Sequence, residues 1–142
     1  MNKSKILAFD VYGTILMTND PENCVPAREG FIEFAEYCLK KGKILVTSSD
    51  NGTGLVKIDL SESGVALGIF SNHFRMTKGK AKDFTPIIAH YGISPEELLV
   101  FGDRLDFDIA PALAQGCRAI PIPPFENLHD NFDWMSIIDT ID

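Results

Sequence analysis

Four groups of polar residues in this 142-residue chain carry side chains from which a charged reaction centre is built, and each stands at the edge of an apolar run. Asp10 closes the run Lys5 to Phe9, and Thr47 with Ser48 closes Lys43 to Val46. Lys78 and Lys80 stand ahead of the segment Ala81 to Tyr91, while Asp103 follows Leu98 to Phe101 with Asp108 shortly after it. Carboxylates hold hard divalent cations. An ammonium offsets negative charge on a reacting group, and hydroxyl or backbone N–H groups donate hydrogen bonds to its oxygens. Any one of these residues has a plain structural use as a helix cap, a turn former or a solvated surface group. Their order along the chain and their complementary chemistry link them into one candidate crevice.

The elements that would position these groups follow from hydrophobic patterning. Lys5 to Phe9, Lys43 to Val46, Ala66 to Phe70 and Leu98 to Phe101 are short apolar runs between polar residues and predict buried strands. A fifth strand is expected at Arg118 to Ile122, after a helix through Ile109 to Ala114 that Gly116 can terminate. Helical spacing appears at Phe31, Phe34 and Leu39 within Arg28 to Lys41, and at Phe84, Ile87, Ile88 and Tyr91 within Ala81 to Tyr91. Gly13 to Pro26 and Asn51 to Gly64 carry weaker patterns. Trp134, Ile137 and Ile138, among acidic residues, predict a short terminal helix packed on the sheet. Strands alternating with helices give right-handed crossovers and a parallel sheet covered on both faces. The expected fold is therefore doubly wound α/β, with about five strands and residues 1–142 as a single domain. Ligands of such sheets bind beyond the carboxyl ends of the strands, where all four polar groups lie.

Composition narrows the function classes. The chain is 45% hydrophobic and 23% charged, which places it among ordinary globular proteins. Its formal net charge of -7 repels phosphate backbones, so nucleic acid is not expected as a partner, and an anionic ligand must be drawn in locally. Cys24, Cys38 and Cys117 are odd in number and lack paired metal spacing, which predicts reduced structural thiols and a cytoplasmic protein. No apolar stretch is long enough to suggest a membrane span.

The motifs resemble those of the haloacid dehalogenase-like hydrolases. Phe9-Asp10-Val11-Tyr12-Gly13-Thr14-Ile15-Leu16 is similar to that family's first motif, a strand delivering an aspartate into a Gly-Thr turn. Ile44-Leu45-Val46-Thr47-Ser48 resembles the second, Lys78-Gly79-Lys80-Ala81 the third, and Val100-Phe101-Gly102-Asp103-Arg104-Leu105-Asp106-Phe107-Asp108-Ile109 the fourth. The resemblance implies a Rossmann-like hydrolase core in which Asp10 attacks phosphorus and forms a covalent aspartyl intermediate. It also implies a magnesium ion held by Asp10, Tyr12, Asp103 and Asp108, with Asp108 preferred over Asp106 as the second acid of the fourth motif. Thr47 and Lys78 join Asp10 and Tyr12 in the expected catalytic set, and Ser48 and Lys80 are the expected substrate-binding residues. The partner is then a phosphorylated substrate, small molecule or macromolecule.

Two departures from the family pattern qualify the activity. Where the family's phosphatases carry a second aspartate two residues after the nucleophile, this chain has Tyr12. A phenol with pKa near 10 is a poor base at neutral pH, and general acid/base catalysis contributes roughly 10²–10⁴ in rate, so turnover should be slow. Tyrosine there is what the family's dehalogenases carry, which gives 2-haloacid hydrolysis as one alternative and a catalytically impaired phosphate-binding or interaction module as another. The segments Gly13 to Pro26 and Thr47 to Lys78 are too short for the usual cap insertions, so the expectation is a capless member. Such members act on bulky substrates or assemble into oligomers, which leaves a homo-oligomer open. His73, Phe74 and Arg75 are expected in a loop before Lys78, within reach of substrate.

Overall fold

The computed structural model describes residues 4–21, 25–124 and 132–141. Five parallel strands form one sheet: β1 (Ile6–Phe9), β2 (Ile44–Ser49), β3 (Phe70–Arg75), β4 (Leu98–Gly102) and β5 (Arg118–Pro121). Their spatial order is β3-β2-β1-β4-β5. The chain steps outward from β1 through β2 to β3, then returns past β1 to β4 and β5. This reversal sets β1 and β4 side by side at the switch point, where the carboxyl strand ends splay to form a crevice. Phe9 of β1 pairs with Thr47 on one side and Phe101 on the other, so Asp10 and Gly102 emerge as neighbours.

Helices α1 (Phe31–Lys40), α2 (Thr53–Glu62), α3 (Thr85–Tyr91) and α4 (Ala110–Ala114) supply the covering layers. Side chains alternate between the faces of a strand, so the sheet sorts its residues by parity. Leu7, Phe9, Leu45, Leu99 and Phe101 face the layer made by α1, α2 and the terminal 3₁₀ helix Trp134–Thr140. Ile6, Ala8, Val46, Leu98 and Val100 face Phe84 and Ile87 of the α3 segment and Ala112 of α4. The first layer is strongly aromatic. The Phe9 and Phe101 rings stack at 4.5 Å, and Trp134 lies 5.2 Å from both Phe31 and Phe34. Phe9 directly precedes Asp10 and Phe101 precedes Gly102 and Asp103, so this packing anchors the strand ends that carry the polar groups.

Two elements, β3 and α3, differ from their expected positions, and α2 forms where the pattern was weak. β3 begins where the expected strand Ala66 to Phe70 would end, because Leu67–Ile69 forms a 3₁₀ turn instead. Among the described residues β3 is an edge strand paired only with β2, and most of its residues are partly exposed, so it lacks the apolar run of a central strand. His73, Phe74 and Arg75 consequently belong to this strand and not to a loop. α3 begins at Thr85 instead of Ala81, with Pro86 in its first turn, where a missing N–H costs nothing. α2 forms over Thr53–Glu62 despite its weak amphipathic pattern.

Between β1 and α1 the chain folds back through isolated bridges of Leu16 with Tyr12 and Ala27, and no inserted domain occurs there or between β2 and β3 among the described residues. Cys38 and Cys117 are buried free thiols, and Cys24 lies outside the described residues. No described helix is long and apolar enough to cross a membrane.

Candidate active site

Asp10 leaves β1 at the centre of the sheet and is 7% exposed. Oxygens of Asp10, Asp103 and Asp108 lie within 4.8 Å of one another. Two glycines make this approach possible. Gly13 has φ +83°, and a Cβ on it would land on the Asp103 carboxylate. A Cβ on Gly102 would land on the Asp108 side chain. The turn after β1 is further pinned by Thr14, whose hydroxyl donates to Asp10 at 3.2 Å, and by Arg28, which donates to the Gly13 carbonyl at 3.0 Å. On the other side, a single π-helical turn, Leu105–Ile109, swings Asp108 inward. Asp106 stays exposed and faces Arg104 at 3.9 Å.

The cation inside this cluster is Lys82, which sequence patterning did not single out. Its Nζ lies 2.9 Å from Asp10 and 2.5 Å from Asp108, and the residue is 5% exposed. Its backbone is held at both ends, with N–H donating to the Phe107 carbonyl and C=O accepting from the Gln115 amide. Lys78 and Lys80, the expected lysines, are exposed residues at the mouth of the same crevice. The discrepancy follows from the late start of α3. A helix opened at Thr85 makes Lys82 the lysine immediately ahead of it, and Pro86 was the sequence signal for that start.

Electrostatics inside the cluster are unbalanced. Burial, and then the neighbouring charge of Asp10, push the Asp103 carboxyl up to about 7. The same two causes push Asp108 up to about 6 against the opposing pull of Lys82. Burial alone would lower Lys82, but Asp10 and Asp108 outweigh it and raise its ammonium to about 12. Three carboxyl groups around one ammonium in a partly dry site make an environment that a hard cation with oxygen ligands would relieve.

No protein-family model and no curated protein matches the sequence. Solved structures do match its shape. A haloacid dehalogenase-like family hydrolase from Xanthomonas campestris superposes with a TM-score of 0.78 at 10% identity, over 100% of this chain and 97% of its own. A predicted phosphoglycolate phosphatase from Haemophilus somnus gives 0.78 at 15% identity over 100% of both chains. The N-terminal part of a Bacteroides fragilis protein, containing a phosphatase domain complexed with Mg, gives 0.71 at 17% identity over 99% of this chain and 40% of that one. The fold is that of the haloacid dehalogenase-like hydrolases.

Within this haloacid dehalogenase-like fold, parity separates the remaining expected site residues. Asp10 follows Phe9, and Phe9 is in register with Thr47, so Ser48 is the β2 residue that shares the face of Asp10. Ser48 Oγ is fully buried and has no hydrogen-bond partner among the described residues. Thr47 points to the opposite layer and pairs with His73 Nδ1 at 2.7 Å, so its hydroxyl is not in the cluster where it was expected. The Tyr12 phenol also turns away and donates to buried Asp59 of α2 at 2.6 Å. Burial first, then this hydrogen bond and the charge of Asp59, push the phenol well above its ordinary range. The phenol is thus engaged by Asp59 and not by the carboxylate cluster, while Tyr12 still lines the crevice beside Asp10.

Proposed function

We propose that this protein is a metal-dependent phosphomonoester hydrolase in which Asp10 is the nucleophile. The observation that carries this reading is the constellation of Asp10, Asp103 and Asp108 around Lys82 at the switch point of the sheet. Asp10, Asp103 and Asp108 would hold a divalent cation, with Mg²⁺ fitting an all-oxygen donor set, and when bound it would neutralise a phosphoryl group enough for a carboxylate to approach. Lys82, 2.9 Å from Asp10, holds that carboxylate oriented, and its charge stands where negative charge gathers during transfer. Ser48 offers a buried hydroxyl with no competing partner among the described residues, suited to donate to a phosphoryl oxygen. Asp10 then attacks phosphorus, the alkoxide leaves, and water hydrolyses the aspartyl phosphate. With the Tyr12 phenol committed to Asp59, proton transfer to the leaving oxygen falls to solvent, so turnover is expected to be slow for poor leaving groups. The similarity to solved hydrolases and to a Mg-complexed phosphatase domain supports this reading. Carbon–halogen hydrolysis rested on Tyr12 alone and gains no support from a phenol held away from the nucleophile.

The test is hydrolysis of aryl phosphates with Mg²⁺. Activity should vanish on chelation and fall by at least roughly 10³ in Asp10→Asn, as expected for loss of a covalent nucleophile. Undiminished activity in that variant would remove the proposal.

A further inference from the structure

Positive charge in the crevice extends beyond Lys82, on a lining that also carries the carboxylates of Asp10, Asp20, Asp50 and Asp108. Besides Lys82, the residues lining it include Lys78 and Lys80, from the turn after β3, and Arg104, from the turn after β4. The order β3-β2-β1-β4 brings these cations in from both sides of the β1 end that carries Asp10. Arg104 is exposed and faces the exposed Asp106 at 3.9 Å, yet its guanidinium is laid 3.9 Å over the Phe107 ring, which limits the freedom it would lose on gripping a ligand. It lines both this crevice and an adjoining cavity bounded by Asp103, Tyr12, Asn19 and Pro124. In a chain of net charge -7, three more cations on one rim run against the average field. Asp20 and Asp50 also line the crevice, but they follow β1 and β2, between the cationic flanks, and Asp50 already accepts from the Asn51 amide at 3.3 Å. The cavity itself, about 140 Å³, is smaller than a drug-sized site and suits a small ligand that reaches its rim.

Resting on the phosphatase reading for the position of the transferred group, we infer that the substrate is a small phosphomonoester bearing a second anionic group, carboxylate or phosphate, which Lys78, Lys80 and Arg104 engage. Charge-assisted hydrogen bonds at an open rim are weakened by solvent but remain directional, and about tenfold in affinity is the expected scale.

The inference is tested by calorimetric binding, with Mg²⁺, of three unreactive probes: propylphosphonate, 3-phosphonopropionate and 1,3-propanediyl bisphosphonate. The wild-type protein should bind at least one doubly anionic probe about tenfold more tightly than propylphosphonate, and the tighter of the two identifies the second group. The triple variant Lys78→Ala, Lys80→Ala, Arg104→Ala should bind all three alike. Equal affinities in the wild type, absence of binding by every probe, or a preference retained in the triple variant would each overturn it. Failure here with aryl phosphate turnover that depends on Asp10 would sink the rim alone. A tail preference without any turnover would sink the phosphatase reading and keep the rim as a binding site.

Discussion

The two faces of the sheet treat polar groups near the strand ends in opposite ways. On the aromatic face, Thr47 is paired with His73 and Tyr12 with Asp59, so the polar groups beside the strand ends find partners, and the buried Trp134 indole N–H, farther along, has none among the described residues. On the face covered by α3 and α4, Ser48 Oγ has no partner among the described residues, and Lys82 is shared by two carboxyl groups with a third close by. Buried polar groups normally pair because an unmade hydrogen bond costs about 1–3 kcal/mol. A face that leaves one unmade and crowds like charges is less stable than it could be, and the deficit is what a bound cation and anion would remove. The aromatic side supplies rigidity and the other side supplies unmet demand.

Breaking the demanding face should have the largest effect. Lys82→Met keeps most of the side-chain volume but removes the only cation in contact with Asp10 among the described residues, and aryl phosphate turnover should fall by roughly 10³. Melting curves taken alongside will separate this loss from unfolding, since breaking a buried pair also costs stability. A comparison of adjacent residues comes next. Ser48→Ala should lower turnover by roughly 10², whereas Thr47→Val should leave turnover nearly intact and cost about 1 kcal/mol of stability through the lost His73 bond. If Thr47→Val is the more damaging to turnover, the assignment of faces is wrong.

On the satisfied face, Tyr12→Phe should destabilise by about 1–3 kcal/mol because it strands the buried Asp59 carboxylate. Adding Asp59→Leu should recover most of that loss in denaturant titrations. The pair also bears on repairing the phosphatase: Tyr12→Asp by itself would strand Asp59 as well, so a gain in rate is better sought with Asp59→Asn alongside.

The smallest expected effect is on pH dependence. Asp103 and Asp108 have folded-state values raised to about 7 and about 6, so without metal the native state holds protons more tightly than the unfolded chain. Their contribution is complete below about pH 4, the ordinary carboxylate range, and is lost as pH rises through 6 to 7. Lys82, raised to about 12, contributes stability that is lost only in strongly alkaline solution. Metal-free urea midpoints attributable to this cluster should therefore fall between pH 4 and 7, and Mg²⁺ should restore them increasingly toward pH 7 by favouring the ionised carboxylates. A Mg²⁺ effect that shrinks with rising pH would contradict the carboxylates as its ligands.

Much of this arrangement could be read from residue order. Apolar runs ending in Asp10 and in Gly102-Asp103 mark two strand ends by local pattern alone, and glycines at 13 and 102 fit the close approach of Asp103 and Asp108. The alternation of strands with helices was enough for a doubly wound parallel sheet. Three things escaped because local signals for them are weak or missing. β3 is an edge strand without an apolar run, so its position depends on pairing with β2. Whether Thr47 or Ser48 looks into the crevice depends on the register between β1 and β2, where a slip of one residue exchanges the faces. Lys82 was hidden among three nearby lysines, and only packing of the α3 segment against the sheet decides which ammonium is carried to Asp10. Sequence determines chemistry wherever the needed geometry is made by neighbours along the chain. Tertiary structure decides it wherever two strands or a helix and a sheet must agree on alignment, because side-chain direction is then set by contacts between distant segments.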